Sequence, residues 1–99
     1  MSKPNTALPF LEDLNEIYRI DPASPSGLSR IKATRGCNGR TGPVVSIGTD
    51  GYYRMKFDGK FYRTHRTIFF MNTGIDPAQH VVDHIDGNRV NNNPDNLRS

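Results

Sequence analysis

The stretch Val81 to Ser99, VVDHIDGNRVNNNPDNLRS, gathers several aspartates, a single histidine and five asparagines into nineteen positions. Asp83 and His84 close a β-branched run and are followed at once by turn residues, where a scaffold exposes reactive groups beside a loop. A carboxylate is a hard oxygen ligand for Mg²⁺, and a neutral imidazole takes a proton from water near physiological pH. An asparagine carbonyl fixes which ring nitrogen carries the proton. Because Asp83 and His84 are neighbours, an ideal strand sends their side chains to opposite faces. For both to serve one site the strand must bend or bulge, and Asp86 and Gly87 supply residues that permit it.

These groups need a frame, and 99 residues allow one domain with a modest core. Hydrophobic residues make up 34% and charged residues 23%, with no tryptophan, four tyrosines and five phenylalanines. That composition excludes wholesale disorder and points to a thin core around aromatic anchors. The net charge of +3 suits a polyanionic partner but is too small for a protein that coats nucleic acid. The single cysteine, Cys37, excludes an internal disulfide and a cysteine-rich zinc site, and it reads as an inert loop residue. No signal peptide or spanning segment is recognisable, so a reducing, cytoplasmic compartment is expected, with no membrane partner.

After a frayed MSKPNT, the spacing of Leu8, Leu11, Leu14 and Tyr18 predicts one short helix. DPASPSG, Asp21 to Gly27, is turn chemistry, LSRIK a short strand, and Ala33 to Pro43 a mobile basic loop. In GYYRMKFDGKFYRTHR, Asp58-Gly59 separates two alternating runs and predicts a two-residue hairpin. Its register sets Phe57 opposite Lys60, Lys56 opposite Phe61, Met55 opposite Tyr62 and Arg54 opposite Arg63. Tyr53, Met55, Phe57 and Tyr62 then face the core, while Tyr52, Arg54, Lys56, Phe61 and Arg63 face outward. THRTIFFMNTG predicts a short buried helix with Thr64 as N-cap and Gly74 as its stop. VVDHI is a strand, DGNRVNNNPDN a loop, and LRS the start of another strand.

VVDHIDGNRVNNNPDNLR resembles the core of phage-type HNH endonucleases: an Asp-His pair, Ile-Asp-Gly-Asn, paired asparagines, then Asn-Leu-Arg. GYYRMKFDGKFYRTHRTIFFMNTG resembles the segment preceding that core, so the likeness spans about half the chain. The resemblance implies an α+β fold, a small antiparallel sheet with short helices leading into a partial ββα-metal motif. Within a single domain 1–99, residues 1–75 form the helix, DNA-binding sheet and second helix, and 76–99 form the core motif. It implies an enzyme, an endonuclease or nickase hydrolysing DNA phosphodiester bonds. Asp83 then ligates a divalent metal, Mg²⁺ or alternatively Mn²⁺, His84 is the general base, and Asn96 orients His84. Asp86, Gly87, Asn88, Asn91 and Asn92 are read as shaping the loop. In this family a second metal ligand comes from a helix after Asn-Leu-Arg, and the sequence given ends at Ser99. Asp83 would then hold the ion loosely, and the chain would be weakly active or inert. His80 is read as a solvated surface histidine rather than a substitute ligand.

Arg54 opposite Arg63, beside Lys56 and flanked by Tyr52 and Phe61, puts like charges across a strand pair, and such a face calls for an anionic partner. Double-stranded DNA is the expected one, with arginines on phosphates or guanine edges and rings against sugars. Arg35 and Arg40 either add phosphate contacts or belong to a solvated loop. Arg66 and His65 head the second helix, in contact with the motif or DNA, or, for His65, as a packed or capping residue. A dimer is expected if one site cuts both strands. The alternative function is a catalytically impaired HNH-derived binding protein, either a DNA binder or an inhibitor docking onto a host defence nuclease.

Overall fold

The computed structural model describes residues 8–32, 41–57, 59–77 and 80–99. The expected frayed start, the loop residues Arg35, Cys37 and Arg40, and the turn residue Asp58 lie outside them. The first helix, α1, spans Leu11–Ile17 and buries Leu14. It stops one residue before its expected end because Tyr18 is extended, at φ −123° and ψ 158°, and opens strand β1, Tyr18–Ile20. Pairing Tyr18 with Arg30 satisfies the backbone there, and the buried Tyr18 hydroxyl donates to the Lys56 carbonyl at 2.6 Å.

The turn after β1 forms as its residues predict. The Asp21 carboxylate accepts from the Ala23 N–H, its carbonyl accepts from the Ser24 N–H, and Gly27 takes φ +80°. Strand β2, Leu28–Arg30, returns antiparallel to β1, and β3, Gly42–Pro43, adds to its other edge.

Strands β4, Arg54–Phe57, and β5, Lys60–Arg63, pair in the register read from the sequence, from Phe57 with Lys60 to Arg54 with Arg63. Met55 is buried and Phe61 exposed, as the alternation requires. The second helix, α2, spans Thr64–Thr73 and follows β5 without a break. Here the expected cap is corrected: Arg63 occupies the N-cap position, and Thr64 is already helical. Its N–H goes to the Tyr53 carbonyl at 2.9 Å, which ties the helix start to the hairpin, and its buried Oγ1 has no hydrogen-bond partner. At the other end Gly74 adopts φ +72° and its N–H bonds the Phe70 carbonyl, the left-handed stop that was expected.

From Thr64 to Phe70 every residue of α2 is buried, so this helix is the axis of the molecule. Leu14, Tyr18, Leu28, Met55, Val82 and Leu97 pack with Ile68, Phe69 and Phe70 into one core. The last strands are short: β6 is Asp83–His84 and β7 is Leu97–Arg98, paired antiparallel. A long polar loop joins them and ends in a 3₁₀ turn, Pro94–Asn96, capped by the Asn93 side chain on the Asp95 N–H. Among the described residues the architecture is α+β, two α-helices with small antiparallel sheets, consistent with a partial ββα motif. Among the described residues no helix is long and apolar enough to cross a membrane.

Candidate active site

Strand β6 carries the two residues that the sequence singles out, and its pairing is regular. Asp83 aligns with Arg98 and His84 with Leu97, leaving Asp83 exposed and His84 buried at 5% exposure. The expected bulge is therefore corrected. In-register pairing on both sides of the peptide leaves no extra residue to turn one side chain over, so the two leave opposite faces. The Asp83 carboxylate accepts from the Arg98 guanidinium at 3.3 Å, an exposed pair that solvent screens.

His84 Nε2 lies 2.7 Å from Asn92 Oδ1. The amide orientation is fixed independently, because Asn92 Nδ2 donates to the Ser26 carbonyl at 3.0 Å and a carbonyl can only accept. Oδ1 must then face the ring, Nε2 must carry the proton, and Nδ1 is the acceptor nitrogen. Asn92 is 3% exposed and Ser26 fully buried, so water does not compete for these bonds. Ser26 can approach this closely because Gly27 follows it: a Cβ at Gly27 would lie 3.2 Å from the Asn92 carbonyl oxygen and 3.1 Å from Ile68 Cδ1.

Asn96, expected to orient His84, does something else. Its Nδ2 donates to Asp86 Oδ1 and to the Asn91 carbonyl, both at 2.9 Å, and its Oδ1 accepts from the Asp86 N–H at 3.1 Å. Asp86 also accepts from the Asn91 side chain and the Asn88 N–H, and these bonds, Asn91 first, hold its carboxyl below the ordinary range. Asn96 is thus the closing bolt of the loop, and the His84 partner is Asn92. Spacing alone does not separate the two asparagines, since what distinguishes Asn92 is a contact with residue 26 at the other end of the chain.

The His84 ring lies in an aromatic cluster. Its centroid is 4.8 Å from His65 and 5.9 Å from Tyr52, and Tyr52 stacks on His65 at 5.1 Å. Burial pushes His65 down to about 4, with the charges of His84, Arg63 and Arg66 adding to it and a hydrogen bond to the Val82 backbone opposing. His65 is therefore a neutral packed ring whose neighbour is His84, so the packed reading and the contact with the motif are one and the same here. Arg63 and Arg89 guanidinium carbons lie 5.0 and 5.4 Å from the Tyr52 ring centre. Asp50 holds both cations: its carboxylate pairs with Arg63 at 2.9 Å and its carbonyl accepts from Arg89 at 3.0 Å. Its carboxyl sits below the usual range through hydrogen bonds from the Tyr52 N–H and Arg63.

The outward residues of the hairpin thus divide. Tyr52 and Arg63 turn toward the histidines, joined by Arg89, which the sequence reading passed over as one cation in a polar loop. Arg54 and Lys56 gather around Phe61, with Arg54 at 4.3 Å from the ring centre. Arg66 is corrected outright: it is buried at 6% exposure and donates to the His80 carbonyl at 2.6 Å. Burial also lowers its pKa, and its work is to tie α2 to the chain entering β6 rather than to meet DNA. The His80 side chain is exposed, as expected.

The described residues contain no group of three His, Cys, Asp or Glu side chains able to hold a metal ion together. Asp83 has the donor chemistry for a hard cation once it leaves Arg98.

A family model described as HNH endonuclease matches residues 62–99, which run from β5 through α2 to the last strand. No curated protein and no solved structure gives a match. The Asp-His strand with its buried histidine, the asparagine-locked loop and this match agree, and residues 62–99 carry an HNH-type nuclease motif.

Proposed function

We propose that the chain is a DNA endonuclease or nickase in which His84 is the general base. The observation that supports it is the His84–Asn92–Ser26 bond series inside and behind the matched segment. It presents Nδ1 as the acceptor, and a base in a fixed tautomer and orientation is what abstraction of a proton from water requires. Arg63 and Arg89, gathered on the Tyr52 ring, are the groups that bind the phosphate, displacing Asp50 from Arg63 as the anion arrives. Asp83, which has the donor chemistry for Mg²⁺ or Mn²⁺, leaves β6 on the face away from His84, so β6 would have to bend for an ion held there to neutralise charge on the phosphate that His84 serves. Asn96 serves indirectly by keeping the loop closed over Asp86.

The Asp83–Arg98 pair favours one second reading, a protein that binds DNA through the same arginines without cutting it. Supercoiled plasmid incubated with Mg²⁺ or Mn²⁺ separates the two. The nuclease converts it to nicked circles, EDTA stops the reaction, and His84→Ala slows it by about 10²–10⁴-fold. Intact plasmid under all conditions, with salt-sensitive DNA binding retained, would establish the binder instead.

A further inference from the structure

Beyond Tyr52 and Arg63, the hairpin borders a groove of about 420 Å³ on the side of residues 41–46. Arg30, Arg54 and Lys56 line it together with Val45 and Phe61, which are 63% and 51% exposed, and no acidic residue is among its described lining. Arg54 and Lys56 lie 4.3 and 5.6 Å from the Phe61 ring centre. Arg54 and Phe61 also line the adjoining depression with Tyr52 and Arg63, and Tyr52 touches the His84 cluster. Shared side chains therefore join the two depressions from Arg30 to Tyr52, the ring that packs against His84, with Asp50, paired to Arg63, the acidic residue in the lining of the second.

Charge and shape select what fits it. Exposed apolar side chains set among three cations suit a polyanion that carries flat apolar groups, with phosphates on the cations and a base on the ring. A duplex keeps its bases stacked inward and is read by protein elements that project into its grooves, which a concavity does not do. A single strand with unstacked bases enters such a groove. An acidic peptide would satisfy the cations and leave Phe61 and Val45 uncovered.

The geometry points to this groove as a binding track for an unpaired DNA strand, with Phe61 as the stacking platform, so that the substrate carries single-stranded nucleotides beside the cut. The position of the cut rests on the nuclease reading, while the binding itself does not. The test is fluorescence anisotropy of the full chain in EDTA, comparing a blunt duplex with the same duplex extended by about ten unpaired nucleotides. The extended probe binds about tenfold tighter to the native chain, Phe61→Ala loses that preference and Phe61→Tyr keeps it. Arg54→Gln lowers the salt slope by about one. Phe61 is half exposed, so its variants should fold, and melting curves are the check. Equal affinity for both probes, a preference that survives Phe61→Ala, or equally tight binding of a charge-matched polyglutamate peptide each overturns the proposal. Extension-dependent binding without plasmid cutting leaves the groove standing and removes the nuclease reading, and cutting without that dependence does the reverse.

Discussion

Two hydrogen-bonded networks are built on asparagines of the β6–β7 loop. One runs from His84 through Asn92 to the Ser26 carbonyl and is buried throughout. The other joins Asp86, Asn88, Asn91 and Asn96 at the surface, where every bond stays within ten residues. The surface network shapes a loop that water would otherwise solvate, and each bond there contributes little net stability. The buried network fixes the state of a ring, because none of its members has water to fall back on. An asparagine acquires a chemical role here through burial and one long-range partner rather than through its place in a motif.

The largest effect expected on the buried side concerns pH. His65 titrates at about 4 in the folded chain against an ordinary 6.5, so between those values the unfolded chain takes up a proton that the folded one refuses. Stability is therefore full above about pH 6.5, falls as pH drops toward 4 and levels off below, a loss on the order of 2–4 kcal/mol. The depressed carboxyls of Asp21, Asp50 and Asp86 act in a lower window, since their contribution disappears only as pH falls through their own lowered values. Urea unfolding at pH 7 and pH 4.5 should show a much smaller difference for His65→Gln than for the native chain; equal differences would place the burial elsewhere.

Asn92→Ala comes next. It frees the His84 ring to rotate and leaves the Ser26 carbonyl unpaired, so plasmid nicking should fall on the order of 10–100-fold. Its counterpart in strain is Gly27→Ala, which forces a side chain into φ +80° against Asn92 and Ile68 and should lower stability by about 1–2 kcal/mol. Nicking by Gly27→Ala should fall more than its urea midpoint alone explains, because Ser26 moves with it. On the surface side, Asn96→Ala should lower stability by about 0.5–1.5 kcal/mol and leave nicking within a few-fold of native. If Asn96→Ala proved more damaging to nicking than Asn92→Ala, the contrast between the two networks would be reversed.

Local rules made much of the frame legible. The alternating runs on either side of the turn carried the hairpin register down to Arg54 opposite Arg63, Gly74 marked the end of α2, and the Asp-His pair marked strand β6. What escaped was set by tertiary contact. Tyr18 leaves helical spacing because its backbone pairs with Arg30 and its hydroxyl reaches Lys56. Thr64 has the side chain of a cap, but its N–H is taken by Tyr53. Arg66 looks like a DNA contact in a basic run, and burial turns it inward to His80. Asn92 and Asn96 are equivalent on a list of residues and differ only by the approach of Ser26.

The dependence of Asn92 on Ser26 couples the histidine to order of synthesis. Residues 62–99 are made after the turn whose Ser26 carbonyl holds Asn92, so the His84 ring is locked only when that turn has docked against them. A fragment beginning at residue 62 would keep every residue of the matched segment yet lack the carbonyl that fixes Asn92 against the His84 ring.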